Sequence, residues 1–125
     1  MVLEHFRNPF AVLAGLRELT GPGSTLFIYT TNADSLNHQI FGSEWEGYFD
    51  WTHYGVDLVT RRSLGDAFQP PDWTLLRLTT NTFWAADADP IVATFRDWFS
   101  ADARFRRLLV ERDLGDFLLC VARRT

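Results

Sequence analysis

Leu19-Thr20-Gly21-Pro22-Gly23-Ser24-Thr25-Leu26-Phe27-Ile28-Tyr29-Thr30 is the stretch that decides the fold. A helix with an apolar face runs out at Leu19, Gly21-Pro22-Gly23 stops it, and a short β-rich run starts at Thr25. An apolar run without polar alternation predicts a strand buried on both faces, as in a layered α/β domain. Upstream, Asn8-Pro9 supplies a helix cap followed by proline at the first helical position. Phe10, Leu13, Leu16 and Leu19 then recur at helical spacing. The first residues, Met1-Val2-Leu3-Glu4-His5, read as the end of a strand.

Residues 32–59 form a long connection rich in Asn, Gly, Asp and aromatics. Connections of that length are usually functional or carry short helices of their own. Thr60 to Phe68 predicts a short helix, Pro70-Pro71 a break, and Trp73 to Thr80 the next strand. Asp89-Pro90 repeats the cap-then-proline signal, and Ile91, Phe95, Trp98 and Phe99 mark an amphipathic helix. Ala101, Phe105, Leu108 and Leu109 repeat the spacing, which predicts a second helix or a bend near Ser100. Gly115 closes this region, and Asp116 to Arg123 reads as a last strand. The chain shows no internal repeat, and the alternation of elements predicts one α/β domain over residues 1–125.

Composition narrows the function classes. At 125 residues, with 46% hydrophobic and 22% charged residues, the chain can bury a sizeable core. Eleven Phe and five Trp exclude a disordered chain, since those side chains need a dry environment. All 12 of the Lys and Arg residues are arginine, so Schiff-base chemistry on lysine is excluded. The net charge is −4, and only Arg104, Arg106, Arg107, Arg112, Arg123 and Arg124 form a locally basic tail. Neither nucleic acid nor an anionic membrane is an expected partner. Cys120, the single cysteine, sits in the apolar run Phe117 to Ala122 and reads as a buried thiol. No stretch has the ~18 apolar residues of a membrane span, and no secretory leader pattern is present, so a cytoplasmic location is expected.

Four short motifs in order carry a resemblance. Val2-Leu3-Glu4-His5 with Asn8-Pro9-Phe10, the Gly21-Pro22-Gly23 turn into Thr25-Leu26, and Thr30-Thr31-Asn32-Ala33-Asp34-Ser35 are three of them. The fourth is the pattern of Gly42, Trp45, His53 and Thr60 to Leu64. Together they resemble class I S-adenosylmethionine-dependent methyltransferases of the ubiquinone-biosynthesis O-methyltransferase group. The motifs cover residues 1–64; beyond that the likeness is one of element order. The family has Lys-Pro-Gly-Gly where this chain has Gly21-Pro22-Gly23-Ser24 preceded by Thr20, and Thr-Pro-Asn where it has Thr30-Thr31-Asn32.

The resemblance implies a truncated Rossmann-like methyltransferase sheet with flanking helices, holding strands five, seven and six plus a stub of strand four. The last strand would insert antiparallel between the other two. The glycine-rich cofactor loop, the ribose-binding acid and the adenine-contacting loop of the family all precede Val-Leu-Glu-His, where this sequence starts. S-adenosylmethionine is therefore expected only if a partner chain supplies its site, and otherwise no cofactor. The strand beside Leu26 to Tyr29 would leave a raw edge, so a homodimer or a cofactor-binding partner subunit is expected rather than a monomer.

Candidate site residues lie in the first half of the chain. Glu4 and His5 would sit where open α/β sheets bind ligands. In relatives with Glu-x-x-Glu-His the resemblance implies a divalent metal orienting a catechol-like substrate, but Met1 replaces the first acid here. Two ligands are too few for a hard cation, so no metal is expected, and Glu4 and His5 read as substrate-binding or merely as polar residues near a cap. His53 is a candidate general base, with Asp50 or Asp57 to orient it, or a loop histidine bonded among aromatics. Trp45, Tyr48, Phe49, Trp51 and Tyr54 either line an apolar small-molecule pocket or form a lid. Asn32 and Ser35 would shape its floor or stabilise a turn. The chain then reads as the acceptor-binding half of a methyltransferase. The alternatives are a small-molecule-binding pseudoenzyme, including a metal-free cyclase or isomerase that uses His53, and a gene remnant.

Overall fold

The computed structural model describes residues 1–48, 51–82 and 90–125. Its elements are α1 (Pro9–Leu19), β1 (Thr25–Thr31), α2 (Leu36–Phe41), α3 (Arg61–Asp66), β2 (Trp73–Asn81), α4 (Pro90–Ala101), α5 (Ala103–Glu111) and β3 (Phe117–Arg124). The chain is thus a mixed α/β protein with five helices and one three-stranded antiparallel sheet among the described residues.

Local chemistry sets the helix ends. Asn8 caps α1 by accepting from the Ala11 amide at 3.0 Å, and Pro9 takes the first helical position. Thr60 and Ser63 form a reciprocal capping box on α3. The break between α4 and α5 falls at Asp102, whose carboxylate accepts from the amides of Arg104 and Phe105 at 2.8 and 3.2 Å. The Asp89 cap expected for α4 lies outside the described residues, as do Phe49 and Asp50 of the aromatic loop.

In the sheet β3 lies between β1 and β2 and is antiparallel to both, so β1 and β2 run parallel to one another. The register puts Ile28 opposite Cys120, Thr30 opposite Leu118, and Leu78 opposite Cys120. Leu118, Cys120 and Ala122 are fully buried, and this face packs with Leu13, Val59, Leu64, Phe68 and Trp73. Burial pushes the Cys120 thiol up to about 11.

Two expectations fail here. Met1 to His5 is not a strand end: Leu3–His5 forms a 3-10 turn, closed by His5 N to Val2 O and Phe6 N to Leu3 O, both 3.1 Å. A strand needs a neighbour for its ladder, and β1 pairs only with β3 among the described residues. Nor is β1 buried on both faces, because Phe27 is 71% exposed while Ile28 is buried. An apolar run cannot reveal whether a second layer covers it. α3 and α5 both contact β2, which lies at the opposite edge of the sheet from β1. No helix among the described residues is long and apolar enough to cross a membrane.

Candidate functional site

The carboxyl end of β1, the amino end of β3 and the connection over residues 32–59 meet in one polar region. Asn32 is fully buried, and its side-chain amide donates to the carbonyls of Gly115 (2.8 Å) and Asp113 (3.2 Å). Its amide oxygen accepts from Asp34 N at 3.2 Å. Ser35 caps α2 by accepting from His38 N at 3.1 Å. Both candidate substrate-binding residues are thus committed to the backbone, the turn-stabilising alternative for each. Gly115 permits this junction, since a Cβ there would stand 2.8 Å from the Asn81 carbonyl oxygen.

Asn37 and Asp116 were missed by sequence reasoning, yet they tie this region together. The Asp116 carboxylate accepts from Asn37 Nδ2 at 2.7 Å and from Trp45 Nε1 at 3.2 Å, in full burial. Asn37 and Asp116 stand 79 residues apart in the chain, and no local pattern links them. Trp45 is therefore a buried, hydrogen-bonded anchor with its ring stacked on His38 at 4.9 Å.

Tyr48 stands beside that stack. Its hydroxyl donates to the Asp57 carboxylate and lies 3.1 Å from His38 Nε2, while His38 Nδ1 is 2.6 Å from the Ala33 carbonyl. Burial, and after it the hydrogen bond and charge of Asp57, push the Tyr48 hydroxyl up to about 12. Asp57, one of the two acids considered for orienting His53, is instead engaged with Tyr48 and lies 3.7 Å from His38. The other, Asp50, is outside the described residues.

His53 turns toward the start of the chain. Its Nδ1 lies 2.7 Å from the Gly47 carbonyl, and its ring meets that of His5 edge-on, with centroids 4.5 Å apart. His5 Nδ1 is 2.8 Å from Thr52 Oγ1. Next to His5, the Glu4 side chain is fully buried, with Oε2 accepting from Thr30 Oγ1 at 3.0 Å. Glu4 Oε1 is buried and has no hydrogen-bond partner among the described residues. The Gly55 amide donates to the Glu4 carbonyl at 2.9 Å, and a Cβ on Gly55 would collide with the Phe6 carbonyl oxygen. One donor atom from each of Glu4, His5 and His53 lies within 4.8 Å of the others. Sequence reasoning counted two ligands here; the third arrives from the loop.

The remaining aromatics diverge. Trp51 is 83% exposed, and Tyr54 is exposed with the Arg7 guanidinium 4.6 Å over its ring. The described aromatics of the loop thus divide into an inward pair, buried Trp45 and half-buried Tyr48, and an outward pair, Trp51 and Tyr54. Gly21-Pro22-Gly23 is the only Gly-x-Gly, and it follows a helix instead of a strand. Its Gly23 amide serves the sheet, donating to the Arg124 carbonyl at 2.9 Å. No protein-family model matches the chain, and no curated protein matches it.

Proposed function

We propose that the chain is the acceptor-side portion of an S-adenosylmethionine-dependent methyltransferase-like protein, working in the cytoplasm. The observation that carries this reading is the gathering of Glu4, His5, Asn32, Ser35, Trp45 and Tyr48 around the carboxyl end of β1. Ligands of open α/β sheets bind at that end. The sheet order β1-β3-β2, with the last strand antiparallel in the middle, supports the likeness to strands five, seven and six of that family.

On this reading the cofactor is held by a second polypeptide segment, another chain or another copy. Its seat is the edge of β1 that pairs with no strand among the described residues, beside an apolar groove of about 460 Å3 lined by Leu3, Phe6, Leu16, Leu26, Ile28 and Tyr29. An apolar groove along an unpaired strand edge favours strand addition. A ligand-binding protein without methyl transfer is the second reading. It is favoured by the commitment of Asn32 and Ser35 to backbone hydrogen bonds.

Co-expression with the glycine-rich N-terminal half of a ubiquinone-type O-methyltransferase tests the first reading. The expected outcome is a 1:1 complex in gel filtration that binds S-adenosylhomocysteine in calorimetry, while the chain alone does not. A complex that forms but takes no nucleoside supports the second reading. If neither the complex nor self-association occurs at micromolar concentration, the open edge of β1 is not a seat for another segment.

A further inference from the structure

The geometry points to a binding site for a borderline divalent cation of the Zn2+ class, made by Glu4, His5 and His53. The three residues come from two segments, the 3-10 turn before α1 and the loop before α3, and their donor atoms lie within 4.8 Å of each other. Four-coordinate zinc with bonds of about 2.0–2.1 Å brings its ligand atoms to about 3.3 Å apart, so loading needs only small side-chain rotations.

Three features argue for a cation rather than a chance cluster. The first is Glu4 Oε1, a fully buried carboxylate oxygen without a donor among the described residues. Burying such an atom unpaired is costly, and a cation would recover that cost. The second is the support behind the rings. His53 Nδ1 rests on the Gly47 carbonyl, which can only accept, so the neutral ring carries its proton there and leaves the Nε2 lone pair to a ligand. Thr52 Oγ1 stands 2.8 Å from His5 Nδ1 and holds that ring in place, and Thr30 Oγ1 donates to the second Glu4 oxygen. Metal-binding histidines and carboxylates are oriented by such outer contacts. The third is the donor chemistry: two imidazoles and one carboxylate select Zn2+, Co2+ or Ni2+ over Mg2+, which demands oxygen ligands. This differs from the oxygen-rich site that the resemblance implies, which lacks its first acid at Met1. Three protein ligands leave a fourth position for water or a ligand oxygen. The inference does not rest on methyl transfer, and it holds or fails independently of the reading proposed above.

The test is titration of the tag-free full chain with Co2+ and then Zn2+. The expected result is one Co2+ per chain, with visible absorption bands of a four- or five-coordinate ion. Zn2+ should displace it, and a large excess of Mg2+ should not. Glu4→Gln and His53→Ala should each weaken binding at least about tenfold, on the order seen for changes around metal ligands. Histidine ring NMR of the unaltered chain guards against a variant that misfolds. Zn2+ should shift the Nε2 signals of His5 and His53 while leaving His38, the third histidine, as it was. Absence of binding at millimolar metal, binding that survives both substitutions, displacement by Mg2+, or shifts confined to His38 would each overturn the site.

Discussion

The polar end of the sheet and helix α4 invert the usual distribution of residues. At the sheet end, Glu4, Asn32, Asn37 and Asp116 are buried almost completely. On α4 the apolar residues expected to face a core stand outward, with Ile91 68% and Trp98 73% exposed. Phe95 is exposed too, although its ring lies 6.3 Å from that of Phe41. Amphipathic spacing is present on α4, but only packing decides whether it is used. Buried polar groups persist where hydrogen bonds hold them, and those bonds fix Asn37, Trp45 and Asp116 in one arrangement. Exposed apolar residues such as Ile91 and Trp98 are an offer of surface rather than a record of burial.

A core substitution sets the scale for this contrast. Leu118→Ala removes a fully buried side chain at the middle of the sheet, and urea denaturation should show a loss of about 3–4 kcal/mol. Asp116→Ala should follow at about 2–3 kcal/mol, because Asn37 Nδ2 and Trp45 Nε1 would be left as buried donors without an acceptor. A loss under half a kcal/mol would mean that water replaces the carboxylate and that the polar end is looser than its hydrogen bonds imply.

A pH titration sharpens the same comparison. The folded state holds the Tyr48 proton up to about 12, above the ordinary 10.0. The protonated hydroxyl therefore contributes stability that is complete below pH 10 and is lost as the pH rises toward 12. Solvent reaches Tyr48, so this contribution is modest and screened by salt. Absorbance at the phenolate band should show a step near pH 12 that Tyr48→Phe removes, while Tyr29, whose hydroxyl burial also pushes up, keeps its own step. Ionisation of every tyrosine near pH 10 would break the link between Tyr48 and Asp57. The smallest effect is expected on α4: Trp98→Ser should change stability by no more than about 0.5 kcal/mol in the same denaturation assay. A cost above 1 kcal/mol would show that this face is covered after all.

Cys120 offers an independent check on the core. Its thiol is fully buried and pushed up to about 11, so a thiol reagent at pH 8 should label it only as the chain unfolds. Rapid labelling of the native chain would place the centre of β3 at the surface.

Signals acting over a few residues were legible in the sequence. The Asn8-Pro9 start of α1, the Gly21-Pro22-Gly23 turn, the Thr60 cap of α3, the strand segments and the burial of Cys120 all follow from neighbours along the chain. The central position of the last strand entered the reading only through the resemblance, since no run of apolar residues states its neighbours. The 3-10 turn at Leu3–His5 and the bare face at Phe27 depend on whether another layer is present, which β-propensity does not encode.

For the site, residue types were legible and their company was not. The sequence supplied Glu4 and His5 as a pair and His53 as a lone loop histidine, with Asp50 or Asp57 as its imagined partner. Folding of the connection over residues 32–59 brought His53 onto His5, gave Asp57 to Tyr48, and set Asn37 and Trp45 on Asp116. The reason is physical. Caps and turns are decided by contacts within one helical turn or one hairpin, whereas a cluster of side chains is decided by loop closure, which depends on the packing of the whole chain.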